Sequence, residues 1–285
     1  MEINARRLVG NAAQRRRKMI AFGWYGGKYS HLEFILPNLP TDEKHFVDVF
    51  GGSAAVLINR RPTELETYND IDSELVNFFK TLRDCGEYLI RQIGLTPFSR
   101  EELVRACTFE SDLSDIERAR RFYIRARQTR TGLAQTSSEG RWAHCVLTSR
   151  AGMSGSVSRW LGAVDGLPQI VNRLQRVQIE NAPAIEVVRR YDTENTLFYC
   201  DPPYVHESRS DKSAYSYEMS DWDHIELGNA LRSIKGRAVV SGYRTKLYDE
   251  IFHGWHRIDA PMKTINSSKG FRQESLWMNF DPETA

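Results

Sequence analysis

The chain has 285 residues, 41% of them hydrophobic and 27% charged, values that suit one large globular domain with room for a smaller insertion. No apolar run approaches the ~18 residues of a membrane span, and the basic N-terminal stretch MEINARRLVGNAAQRRRKM has no apolar segment of a secretory signal, so we expect a cytoplasmic protein. Net charge is only +2, yet from Arg118 to Arg159 there are nine arginines and a single acid, Glu139, which marks a basic pole suited to an anionic partner.

In chain order, GWYGGKYSHLEFILPNLP predicts a glycine turn and a short amphipathic helix ended by Pro37 and Pro40. HFVDVF (45–50) reads as a buried strand, GGSAAVLINR (51–60) as a turn and helix, ETYND (66–70) as a second strand and DSELVNFFKTLRD as a second helix, the alternation of a parallel sheet covered by helices. From about Cys85 to Arg176 the pattern changes to helices with polar loops, and no strand is expected there. Sheet signals return at VQIEN, TLFYC, GRAVVSGY, GWHRIDAP and QESLWMNF. The expected organisation is one α/β domain interrupted by an arginine-rich insertion. Cys85, Cys107, Cys145 and Cys200 lack the short paired spacing of zinc sites or disulfide frameworks and are read as reduced structural thiols.

Three constellations carry chemistry. In FVDVFGGSAAV the glycines between strand and helix let backbone amides approach a ligand, and Asp70 of YND, 18 residues after Gly52, is spaced to hold ribose hydroxyls; a ligand-free glycine turn is the alternative. Asp48 either faces the same crevice or begins the turn. In WYGGK, Trp24 and Lys28 offer an aromatic face and a cation, suited to a sulfonium cofactor with a carboxylate tail, although glycines at a helix entry are the commoner role.

The third constellation is DPPY. An exocyclic adenine amine is a poor nucleophile because its lone pair is delocalised into the ring, and two acceptors that draw its hydrogens out of plane make it competent. The Asp201 carboxylate and the Pro202 carbonyl are such a pair, and the second proline keeps that carbonyl presented at the strand end. The carboxylate also stabilises positive charge growing on the nitrogen, and Tyr204 offers a flat face for an extruded base. The plain alternative is a strand terminator with Asp at a turn.

WYGGKY, FVDVFGGSAAV, YNDID and DPPY, in that order and with a long insertion before the last, resemble the alpha group of adenine-specific DNA methyltransferases, the Dam type. The resemblance runs from about Phe22 to Phe280. It implies a class I methyltransferase fold, α/β and Rossmann-like, with a mostly parallel seven-stranded sheet and a mainly helical target recognition insertion. Residues 1–84 and 177–285 would form the catalytic domain, which binds S-adenosylmethionine, and 85–176 the DNA-binding domain. By motif, Trp24, Lys28, Asp48, Phe50, Gly52, Asp70 and Asp201 would contact the cofactor, and Asp201, Pro202 and Tyr204 would serve catalysis on a flipped adenine in double-stranded DNA. No metal is implied. The pattern departs from the family's at Val49, where proline is frequent, and at Ala54, where a second glycine is usual. Residues 1–18 have no counterpart.

A helical reading of SDIERARRFYIRARQTRTG sets Arg118, Arg121 and Arg125 near one face, with Phe122 and Ile124 available for packing. A solvated charged face is the ordinary meaning of such a run, but beside a base-modifying site arginines meet phosphates, and Arg127, Arg130 or Arg141 are candidates to read a guanine edge. His206 is read as a loop histidine and Ser241 as a strand-end hydrogen-bonder. The rival readings are the same chemistry on adenine in ribosomal RNA, amino-group methylation of cytosine, a non-catalytic DNA-binding protein on the same fold, and a nicotinamide dehydrogenase that leaves DPPY unexplained. A bacterial or phage-encoded enzyme is expected, either with a restriction endonuclease partner or as an orphan.

Overall fold

The computed structural model describes residues 18–130, 139–205, 217–261, 263–264 and 271–282; the N-terminal extension through residue 17 and His206 lie outside the described residues. The WYGGK turn leads through a tight helical turn at Lys28–His31 into α1 (Leu32–Ile35) and a second turn, Leu36–Asn38, that carries Pro37. Then come β1 (His45–Asp48), α2 (Ala55–Asn59), β2 (Leu65–Asn69) and α3 (Ser73–Asp84). The Asp72 side chain starts α3 by accepting from the Glu74 and Leu75 amides, two of the donors a helix N-terminus leaves unpaired.

The insertion contributes α4 (Gly86–Gly94), α5 (Arg100–Cys107), α6 (Asp115–Gln128), the short strands β3 (Ser149–Arg150) and β4 (Met153–Ser154), α7 (Gly155–Val164) and α8 (Leu167–Leu174). The two strands correct the expectation of a strand-free insertion. They form a two-residue antiparallel ladder around Ala151 and Gly152, whose φ values of 52° and 75° make a tight mirror-image turn that alternation of apolar residues cannot reveal. The chain returns through β5 (Gln178–Glu180), α9 (Ala184–Tyr191), β6 (Thr196–Cys200), α10 (Asp221–Arg232), β7 (Arg237–Tyr243), α11 (Lys246–Ile251), β8 (His256–Asp259), β9 (Lys263–Thr264), β10 (Phe271–Arg272) and β11 (Glu274–Met278).

The seven-stranded, mostly parallel sheet that the resemblance implies is present, in the order β5-β2-β1-β6-β7-β11-β8, and only β11 runs against its neighbours. β1 and β6 are buried along their whole length, so they read as continuous runs rather than alternating ones. The chain moves outward from β1 to β2 and β5, then returns to the other side of β1 with β6. The loops after β1 and β6 therefore part, and an α/β sheet opens its ligand crevice at that point.

The insertion shares the core of the sheet domain. Phe22 meets Phe78 and Phe122 edge-on at 5.3 and 5.4 Å, and Tyr123 of α6 stacks on Phe78 of α3 at 5.6 Å, inside the same cluster as Phe46 and Tyr68. Each buried ring contributes about 1.5–3 kcal/mol, so α6 is fixed against α3 as firmly as a core helix. A second anchor joins α8 to β2: Arg173 donates to both Glu66 oxygens at 2.6 and 2.5 Å with both side chains buried.

Candidate active site

The turn after β1 is held from several sides. Gly51 N–H donates to the Asn69 carbonyl (2.7 Å), Gly52 N–H to Asp70 Oδ2 (2.9 Å), and the Tyr68 hydroxyl to the Gly52 carbonyl (2.8 Å). Gly51 lies flat on Tyr68, where a Cβ would come within 2.1 Å of the ring. Gly52 has φ +50°, and its Cβ would approach the Trp24 indole at 3.1 Å, so WYGGK and FGG are built against each other. The two departures from the family pattern have local consequences. Val49 donates its N–H to the Tyr199 carbonyl at 2.9 Å, a bond proline lacks, and Ala54 takes the left-handed φ of 55° that glycine adopts without steric cost.

Asn69 joins three strand ends: its Nδ2 donates to the Val49 and Ala182 carbonyls and its Oδ1 accepts from Ala182 N–H. Together these loops enclose a cavity of about 790 Å³, in the range of small-molecule sites. Trp24, Lys28, Asp48, Phe50, Gly52, Asp70 and Asp201 all line it, along with Pro203. Pro202 and Tyr204 lie behind its wall, buried. Sequence reasoning missed Ile71, Pro183, Ala184, Ile185, Met219 and Trp222. The run ENAPAIEV, a strand followed by Asn-Ala-Pro and a helix, carried a readable signal of a third strand-to-helix turn.

Asp201, at the end of β6, accepts through Oδ1 from Lys28 Nζ (2.6 Å) and from Ser241 Oγ (3.0 Å), the latter bonded to the Tyr199 hydroxyl at 2.9 Å. Among the described residues no group donates to its Oδ2. Ser241 is thus the strand-end hydrogen-bonder read from sequence. Lys28, 2% exposed, also donates to the Tyr204 hydroxyl (2.7 Å) and lies 3.2 Å from Glu274 Oε1. Tyr204 donates to Glu274 Oε2 (3.3 Å) and stacks one ring face on Tyr243, centroids 4.3 Å apart. Lys28 is 4.5 Å from the Tyr204 ring centre, a separation that follows from its bond to the hydroxyl rather than from contact with the ring face.

Burial works against charge at every one of these groups. It would depress Lys28, but Asp201 and Glu274 beside it more than reverse that and hold the ammonium's pKa well above its ordinary value. Burial raises Asp201 to about 6 against the opposing pull of Lys28, and raises Asp70 to about 6 although Asp70 accepts two backbone amides. Asp48 is raised well above the usual carboxylate range by burial and by Asp201 and Asp70, and its Oδ1 is buried with no hydrogen-bond partner.

The arginine-rich helix is electrically quieter than its sequence. Arg118 pairs with Glu74 (2.6 Å), Arg120 with Glu102 and Glu117 (2.8 and 2.7 Å), Arg121 with Glu110 and Glu117 (2.9 and 2.8 Å), and Arg125 donates to the Ala106 carbonyl (2.7 Å). Arg127 and Arg130, with Arg159, His144 and Ser156, line a second cavity of about 440 Å³ that has no acid among its described lining residues and meets the first at Trp24. Arg127 Nε is buried there without a hydrogen-bond partner. Arg141 is exposed beside it, its carbonyl accepting from Arg130 N–H.

Comparison with known proteins agrees with this geometry. The chain is 24% identical over 273 residues to a type II methyltransferase, M1.LlaDCHI of Lactococcus lactis subsp. cremoris, covering 90% of this chain and 94% of that protein. It is 28% identical over 205 residues to a DNA N-6-adenine-methyltransferase of Escherichia phage P1, covering 70% of this chain and 25% of that protein. The ribosomal RNA methyltransferase AviRa of Streptomyces viridochromogenes is a distant structural neighbour, 14% identical with a TM-score of 0.35 over 90% of this chain and 86% of that one, too remote to bear on function. The family of D12 class N6 adenine-specific DNA methyltransferases matches residues 24–264. With DPPY at the open end of β6 and most of its length matched, the chain belongs to the D12 class of N6 adenine-specific DNA methyltransferases.

Proposed function

We propose that this DNA adenine methyltransferase takes S-adenosylmethionine in the larger cavity and methylates the amino group of an adenine swung out of double-stranded DNA, with Asp201 as the central acceptor. One observation carries the reading: Asp201 lines the cavity and, among the described residues, is held through Oδ1 alone. The cavity also fits the cofactor's charge. Asp70 and Asp201 line it against Lys28, and Asp48 beside them has a buried Oδ1 with no hydrogen-bond partner; a cationic sulfonium would offset the burial that raises all three acids. Trp24, Phe50, Ile71 and Ile185 supply apolar walls.

When bound, the cofactor supplies an electrophilic methyl group on sulfur. The chain's residues do the rest. Asp201 Oδ2 and the Pro202 carbonyl each accept one N–H of the amine, freeing its lone pair from the ring. With the lone pair free to meet that methyl group, Asp201 Oδ2 or water would take the proton that the nitrogen gives up. Asp70, held by Gly52 and Asp72 amides, keeps lone pairs for ribose hydroxyls, Trp24 and Phe50 flank the purine, and Tyr204, its ring braced against Tyr243, is the aromatic residue assigned to the extruded base.

Residues 85–176 act as the target recognition part and 1–84 with 177–285 as the catalytic part. Arg127, Arg130 and Arg141 face the DNA, a reading supported by the cavity that the first two line, whose described residues include no acid. The enzyme works in the cytoplasm of a bacterium, as the product of the host or of a phage, and its modified site decides between a restriction partner and an orphan role. Labelled S-adenosylmethionine and duplexes of varied sequence test the proposal: label should appear on adenine in one context, and its absence from every context would overturn it.

A further inference from the structure

The last strand of the sheet brings to the site a residue with no local motif around it. Glu274 opens β11, is 2% exposed, and reaches two site residues at once: Oε1 lies 3.2 Å from Lys28 Nζ and Oε2 accepts from the Tyr204 hydroxyl at 3.3 Å. Lys28 bonds in turn to that hydroxyl at 2.7 Å and to Asp201 at 2.6 Å. Lys28, Tyr204 and Glu274 form a closed triangle that Asp201 joins through the ammonium; the ammonium also donates to the Gly26 carbonyl at 3.2 Å, so Glu274 Oε1 meets it by charge and without a hydrogen bond. A buried carboxylate has a large desolvation cost and persists only where a cation and donors compensate it, so this one is held by the site and holds it in return.

We propose that Glu274 is a positioning residue for methyl transfer, drawing the Lys28 ammonium against the pull of Asp201 and fixing the plane of the Tyr204 ring. The inference rests on the reading of Asp201 as the acceptor for the adenine amine. With Glu274 in place, the Lys28 ammonium is only partly available to Asp201, whose carboxylate keeps its strength as an acceptor. Without that charge the ammonium moves wholly onto Asp201 and weakens it toward the amine. The same residue aims the Tyr204 hydroxyl, whose ring is clamped on Tyr243 from the other side.

The test is Glu274→Gln, a variant of the same shape without the charge, measured in single-turnover methylation across pH with the wild type alongside. We expect the rate constant to fall about 10- to 100-fold while the affinities for cofactor and duplex change less than about threefold. Removing Glu274 also removes a charge that holds the Asp201 pKa up, so the acid limb of the rate profile should move to lower pH. An unchanged rate overturns the proposal, and so does a reduced rate with the limb unmoved, because a merely structural role would lower stability and leave the limb in place. If Glu274→Gln yields no folded protein, Glu274→Asp decides: charge is kept and reach is lost, so the rate should fall with the limb unmoved, and a wild-type rate overturns the proposal. A wild-type protein that transfers no methyl to adenine would instead overturn the underlying reading of the site.

Discussion

The crevice after β1 and β6 and the arginine-rich α6 are both dense in charge, and they handle it in opposite ways. On α6 the acids that answer the arginines come from Glu74, Glu102, Glu110 and Glu117, outside the run in which the arginines were counted, so folding neutralises much of the basic pole. In the crevice, carboxylates exceed the cations facing them, and burial leaves that imbalance exposed to a ligand. Charge placed for stability is paired within the fold, whereas charge placed for function is left partly unanswered.

The largest effect should follow from removing Asp201, whose charge Lys28 answers through one oxygen while Glu274 competes for the same ammonium. Asp201→Ala is expected to cut methyl transfer by about 10³-fold or more with DNA affinity nearly unchanged, measured by label incorporation and by duplex titration. A loss of binding in parallel with rate would make Asp201 structural and erase the contrast. The pH profile sharpens the same point. With Asp201 near 6, the rate should be flat above about pH 7 and fall about tenfold per unit below 6, because only the ionised form accepts the amine hydrogen. The sign of its stability effect is opposite: this carboxyl binds its proton more tightly in the folded protein than at its ordinary pKa of 3.8, so it favours the ligand-free fold as pH falls from 6 toward 4.

A paired charge deep in the core should show its worth as stability. Glu66→Gln leaves the buried Arg173 guanidinium without its counter-ion and should cost about 3–5 kcal/mol in denaturant unfolding, with α8 coming loose from β2 first in hydrogen exchange. A cost below about 1 kcal/mol would mean that Leu57, whose carbonyl also accepts from Arg173, holds the helix alone.

These contrasts also show what the sequence could reveal. The strands and the motifs WYGGK, FVDVFGG, YND and DPPY were legible because a parallel sheet gathers the ends of successive strands, and each motif carries its own turn chemistry within a few residues. Glu274 was not legible: it sits 73 residues beyond Asp201 in an ordinary strand, and only the antiparallel return of β11 beside β7 brings it to Lys28. The pairing of Arg118 with Glu74, across 44 residues, escaped for the same reason, and with it the true balance of α6. Sequence shows where a charge is, and folding decides which acid answers it.

In the insertion, the arginines of the second cavity should differ from those of α6. Arg130→Ala and Arg159→Ala are each expected to weaken duplex binding several-fold and to lower the slope of log affinity against log salt by about one where the arginine meets a phosphate. An unchanged slope with relaxed sequence preference would assign that arginine to a base edge instead.

The smallest effect belongs to Arg118→Ala, and it is the sharpest control on the comparison. Its partner Glu74 is 40% exposed and Arg118 itself 33%, so water screens the pair and its loss should cost only about 0.5–1 kcal/mol. Because the guanidinium is already bonded to Glu74 through Nε and Nη2, it has no surplus charge for a phosphate, and the salt slope of DNA binding should stay at the wild-type value. A slope lower by one would show that DNA draws Arg118 away from Glu74, and the division between paired and unanswered charge would then hold only for the free protein.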